Sequence, residues 1–133
     1  MTSHRRLAVL TDVAPAVVYA GVLFYFGLIR LGKLPEVGPV PTDKLLHGLA
    51  FGGLALLLMR SLRFFQPAAP YRTLVLFGVA VASLLGALLE VCQSFVAYRS
   101  AEFMDWVADT VGALLIVASL SALRSLARRR VHG

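Results

Sequence analysis

Asp43, Lys44 and His47 fall within five residues, Glu90 and Gln93 lie three apart, Arg99 follows, and Asp105 and Asp109 are four apart. Each of these groups has the residue types for acid–base or binding chemistry. Asp43 and His47, at i and i+4, would share a helix face as a base held by a carboxylate. Further carboxylates beside them would suit a hard cation such as Mg²⁺ or Ca²⁺, whereas zinc would ask for more His or Cys than a lone imidazole. The plainer reading is an Asp–His pair capping the start of a helix, and neither a metal nor a cofactor is assigned. Glu90 with Gln93 reads either as a general base with its orienting partner or as a buried hydrogen bond between helices. Arg99 would clamp a phosphate or carboxylate of a headgroup, or pair with Glu102 or Asp105. Asp105 suits a helix start, where the macrodipole favours acids. Asp109 lies deeper, and if it approached Glu90 the two carboxyls would divide into an acid and a base.

These residues interrupt a chain that is otherwise strongly apolar. Of 133 residues, 59% are hydrophobic and 15% charged, and the mean hydropathy is +0.80. A water-soluble domain of this size would need far more polar surface. The apolar residues form four blocks, roughly Leu7–Ile29, Asp43–Leu62, Thr73–Phe95 and Met104–Leu123. A helix rises about 1.5 Å per residue, so about 20 residues cross a hydrocarbon core of about 30 Å. The last three blocks reach that length only if their polar residues count as part of the span. The expected fold is therefore all-α: a single domain over 1–133, a four-helix transmembrane bundle. Pro15 is expected to kink the first helix near its start. A cleaved signal peptide is excluded, because cutting after Ala14-Pro15-Ala16 would leave a short apolar core broken by Asp12.

Basic residues set the expected orientation. His4-Arg5-Arg6, the Arg60/Arg63/Arg72 loop and the tail with Arg124 and Arg128-Arg129-Arg130 mark the cytoplasmic side, with both termini inside. The net charge of +6 is thus a topology signal, and its distribution does not suggest nucleic acid. Six of the seven acids then fall at the outer side, in the helix ends and the loops of about 31–42 and 96–103. Asp12 is the exception, expected within reach of the inner arginines. Small residues share the polar faces: Ser83 and Gly86 below Glu90, Gly112 and Ala113 below Asp109, and Gly48 with Gly52. Small residues let helices approach closely, so Glu90 is expected to face a polar pocket open to the outer leaflet. Gly48 and Gly52 would serve a homodimer as readily as an internal contact. Tyr98 and Trp106 fit interfacial anchors, and Cys92, the only cysteine, fits a small apolar packing residue.

Taken in order, Asp43-Lys44-x-x-His47 with Phe51, Glu90-x-x-Gln93, Arg99 and Asp105-x-x-x-Asp109-Thr-x-Gly112-Ala113 resemble the VanZ-like family of small bacterial integral membrane proteins. The family often carries Asn where this chain has Asp109. The resemblance implies a multi-pass protein of the bacterial plasma membrane, linked through the family's name to teicoplanin-type glycopeptide resistance. It transfers no reaction. Two functional classes follow. One is a binding protein whose pocket takes a lipid-linked envelope precursor, an anionic lipid or a glycopeptide, with Asp43, Lys44, His47, Glu90, Gln93, Arg99, Asp105 and Asp109 as its polar residues. The other is an intramembrane hydrolase or transferase acting on such a lipid, with His47, Glu90 and Asp109 as acid–base groups. The chain has no serine triad, HExxH motif or phosphate loop for the second class, and the inner halves of its helices are too apolar for a transporter.

Overall fold

The computed structural model describes residues 3–29, 39 and 41–132. They form five helices: α1 Ser3–Asp12, α2 Ala14–Leu28, α3 Thr42–Phe65, α4 Tyr71–Ser94 and α5 Phe103–His132. Among the described residues there is no strand. Among the described residues four segments are long and apolar enough to cross a membrane: Leu7–Leu28, Thr42–Phe65, Tyr71–Ser94 and Phe103–Ala127.

Proline punctuates three of the spans. The first is broken at Val13, so that Pro15 sits in the opening turn of α2, where its missing N–H leaves no hydrogen bond unmade. This is the kink expected near the start of the first span. Pro41 and Pro70 stand at the N-cap positions of α3 and α4. Arg63 closes the short connection between those helices, its Nη1 donating to the carbonyls of Pro67 and Ala69 at 2.8 Å each. The fourth span was expected to end at Leu123. The helix instead runs on to His132, because neither Gly nor Pro interrupts the sequence before Gly133.

α3, α4 and α5 form the centre. Phe51, Leu54, Ala55 and Met59 of α3 meet Leu74, Ala82 and Leu89 of α4 and Ala113 and Val117 of α5. The first span lies at the side and has Ala16 as the buried residue of α2. Large apolar side chains cover the outside, among them Leu76, Leu84 and Leu115, as a lipid-facing surface requires. Gly48 and Gly52 serve the inside of the bundle: a Cβ on Gly48 would lie 3.2 Å from the Ala108 carbonyl oxygen, and one on Gly52 would strike Ile116. Their small size brings α3 against α5 within the chain.

The bundle has two chemically different ends. At one, Arg60 Nε donates to Asp12 Oδ1 at 2.8 Å and Ser61 Oγ donates to the Asp12 carbonyl at 2.9 Å, so Asp12 does meet a basic residue. Tyr71, Ser121 and Arg124 share this basic end. The other end holds the remaining described acids. The expected outer loop at 31–42 lies mostly outside the described residues, as do the side chains of His4, Arg5, Arg6, Arg128 and Arg129.

Candidate functional site

At the acidic end the first turns of α3 and α5 lie side by side, and their charges interlock. Lys44 Nζ is 3.3 Å from Asp43 and 2.7 Å from Glu102, and it is also paired with Asp105. One turn further in, His47 Nδ1 is 2.9 Å from Asp109 Oδ1, while Nε2 is 3.8 Å from Asp105 Oδ2. A carboxylate accepts only, so the Nδ1–H donates to Asp109 and that contact fixes the ring. The His47 ring also lies parallel to Phe51, one turn along the same helix. Asp109 is 0% exposed, packed against Gly86. A Cβ on Gly86 would lie 2.5 Å from Asp109 Oδ2, so the missing side chain is what admits the carboxylate.

Helix α4 supplies the third wall. Glu90 Oε2 accepts the backbone N–H of Glu102 at 2.7 Å, immediately before α5. The first amides of a helix have no intrahelical partner, and a carboxylate there is favoured by the macrodipole. Gln93 Nε2 donates to the Gly27 carbonyl at 3.0 Å. Arg99 Nε donates to the same oxygen at 2.9 Å, and Tyr98 Oη donates to the Leu28 carbonyl at 3.0 Å. The loop after α4 therefore satisfies the last carbonyls of α2 and ties the first span to the bundle. Deeper, Trp106 Nε1 donates to Ser83, whose hydroxyl also meets Thr110 at 2.8 Å.

Several expected pairings are rearranged. His47 is held by Asp109 of α5 and not by Asp43, its i−4 neighbour. Asp43 lies inside the first turn of α3 and is not its cap, since the N-cap is Pro41 and makes no side-chain capping bond. Gln93 does not orient Glu90, because it turns to α2. Arg99 forms no ion pair among the described residues, and its donors go to a backbone carbonyl. Trp106, an expected interfacial anchor, is half-buried near the start of α5 and gives its ring N–H to Ser83 of α4. Asp43, Glu102 and Asp105 do offer oxygens within 4.8 Å of one another, the arrangement a cation would require. The Lys44 ammonium, bonded to all three, already stands in their midst.

A cavity of about 680 Å³ opens at this end, among the end of α2, the start of α3, the end of α4 and the loop after it. Its polar wall carries Asp43, His47, Gln93, Arg99, Glu102 and Asp105, and its apolar wall includes Leu23, Phe26, Leu46 and Leu89. Lys44, Glu90 and Asp109 stand behind that wall and do not line it. Glu90 thus answers to α5, not directly to the pocket expected in front of it. Glu90 Oε1 and Asp109 Oδ2 are buried and have no partner among the described residues. The sequence pattern did not single out Gly27, whose carbonyl takes three donors. Nothing in a glycine's identity reports what its carbonyl accepts.

A family model described as VanZ/LLP1 matches residues 13–124. No curated protein and no solved structure matches the chain.

Proposed function

The chain belongs to the VanZ/LLP1 family, and we propose that it is a bacterial inner-membrane protein whose acidic-end cavity binds a lipid-linked envelope precursor. The observation that carries this is a cavity with one apolar and one polar wall, at a bundle end. A lipid chain lies against Leu23, Phe26, Leu46 and Leu89, and the polar part of the precursor meets Asp43, His47 and Gln93. Binding sites of this kind combine an apolar lining with a few fixed polar groups. The acidic end faces outward and both termini are cytoplasmic. Arg60, Arg63, Arg72 and Arg124 at the opposite end support that orientation. With Cys92 replaced by Ser, a cysteine at Ser100 should react with a membrane-impermeant maleimide added to intact cells, and one at Gln66 should not. The reverse pattern would turn the molecule over.

Native mass spectrometry of the protein extracted with its lipids tests the ligand. The wild type should retain one adduct of precursor mass, and Leu46→Trp, which fills the cavity, should lose it while staying folded. Equal adducts on both would remove the proposal. A glycopeptide and an anionic phospholipid added in the same titration show whether either takes the cavity instead.

A second reading rests on one specific contact. His47 lines the cavity and is held through Nδ1 by the fully buried Asp109, the arrangement of a general base with its orienting carboxylate. In that reading the chain cleaves or transfers a group of the bound lipid, and Asp109→Asn lowers turnover by about 10²–10⁴-fold without releasing the ligand. An unchanged lipid after prolonged incubation would leave binding as the whole function.

A further inference from the structure

The basic end has a cavity of its own, of about 620 Å³, that the acidic-end site does not use. Three arginines line it, Arg60, Arg63 and Arg124, against a single acid, Asp12. Below them the wall is apolar and drawn from three helices: Leu56 of α3, Leu74 of α4 and Leu120 of α5. The donors at the rim are only partly used. Arg60 gives Nε to Asp12, and its two Nη groups have no partner among the described residues. Arg124 holds its guanidinium carbon 5.8 Å from the centre of the Tyr71 ring and forms no ion pair among the described residues. Arg63 is anchored through Nη1 to the carbonyls of Pro67 and Ala69, which holds its charge at the rim.

Unused guanidinium donors above an apolar groove, at the end of a membrane span, complement a phosphate attached to an acyl chain. A guanidinium presents paired N–H groups that match two phosphate oxygens. The rim sits where spans end, at the depth of lipid headgroups. A free phosphate would find the arginines and leave the leucines unused, and a neutral lipid would find the leucines and leave the positive charge unmatched. We propose that this cavity binds one anionic phospholipid, its phosphate held by Arg60 and Arg124 and one acyl chain laid along Leu56, Leu74 and Leu120. The tie between Asp12 and Arg60 sets the position of that guanidinium and links lipid occupancy to the packing of the first span.

The test is a titration of the purified full-length chain in detergent, read by native mass spectrometry. The probes are dioleoylphosphatidylglycerol, dioleoylphosphatidylcholine and inorganic phosphate. A single phosphatidylglycerol adduct should form in preference to phosphatidylcholine and survive excess inorganic phosphate. Loss of one charge-assisted contact should weaken it about tenfold in Arg124→Gln. Arg130→Gln removes the same charge from an exposed position of α5 outside the cavity, and should leave the affinity unchanged. Should Arg124→Gln not fold, Arg60→Lys keeps the pair with Asp12 and removes the fork, with the same loss expected. Equal weakening by Arg124→Gln and Arg130→Gln would reduce the effect to diffuse surface charge and overturn the site. Equal binding of phosphatidylcholine, or displacement by inorganic phosphate, would overturn it as well.

Discussion

Gly112→Ala should damage this protein twice, once in its packing and once at the acidic-end site. A Cβ on Gly112 would lie 2.5 Å from the Gly48 carbonyl carbon, where carbon atoms in contact prefer about 3.5–4.0 Å. The obstacle is backbone, and the Gly48 Cα is nearer still, so no side chain can swing aside, and α3 and α5 must part by more than about 1 Å. Overpacking of this kind costs about 1–3 kcal/mol. Gly48 directly follows His47, and Gly112 lies three residues after Asp109. The same displacement therefore reaches the His47–Asp109 contact, now 2.9 Å, and takes it beyond the roughly 3.2 Å of a good N–H···O bond. Gly21→Ala is the control, because a Cβ there meets nothing within 4 Å. It should be neutral, or slightly stabilising through helix propensity of at most about 1 kcal/mol. Thermal unfolding in detergent, followed by circular dichroism, compares the two variants. Nitrogen-15 spectra of the His47 ring report whether the Nδ1–H bond survives. If Gly112→Ala melts with Gly21→Ala and keeps its imidazole signal, the close approach of α3 and α5 is not what assembles the site.

Other substitutions separate the roles of individual polar residues. A double-mutant cycle of His47→Ala and Asp109→Ala should give a coupling of about 1.5–3 kcal/mol, the range for hydrogen bonds to charged groups; additivity would mean that the buried contact does no structural service. Lys44→Met removes the ammonium from among Asp43, Glu102 and Asp105, so the variant should lose thermal stability and regain it in millimolar Ca²⁺, while the wild type stays indifferent. Calcium dependence in the wild type would refute the reading that Lys44 serves as the cluster's own cation. Arg99→Ala with Gln93→Ala strips donors from the Gly27 carbonyl. Spin labels on α2 and on the loop after α4 should then show a broader distance distribution, and an unchanged one would show that these donors are not what holds the end of α2.

The spans were legible because apolar blocks of the right length leave few alternatives in lipid, and the site's location because its polar residues are the ones that interrupt those blocks. Their partners were not. An i,i+4 spacing states that Asp43 and His47 share one face of α3, but it carries no information about the register of α3 against α5. That register is set by Gly48 meeting Gly112, and it delivers Asp109, not Asp43, to the imidazole. Arg99 misled for a similar reason. Acids stand near it in sequence, yet Lys44 already occupies Glu102 and Asp105, and the open carbonyls at the end of α2 lie within its reach. The small residues gave the most direct information: Gly86 and Gly112 each mark a place where a buried carboxylate or a backbone comes too close for a side chain, and Gly48 sits tightly against the Ala108 carbonyl.

The distribution of unused donors and acceptors gives the two ends opposite requirements. At the acidic end Lys44 is shared among three carboxylates and Arg99 is spent on Gly27, so both cations nearest the cavity are committed. What faces the cavity is dominated by acceptors: the carboxylates of Asp43, Glu102 and Asp105. An anionic headgroup placed there would meet like charge, which disfavours it, whereas hydroxyl, amide or ammonium groups would find acceptors waiting. That argues for a ligand rich in donors, such as the sugar and peptide portion of an envelope precursor, over a bare anionic phospholipid. At the basic end the surplus is reversed, with guanidinium donors of Arg60 and Arg124 that find no acceptor among the described residues. With these two sites one chain sorts two amphiphiles to its two ends by the charge and hydrogen-bond polarity of each rim, and exchanging the charge at either rim should exchange the preference of that rim and leave the other unchanged.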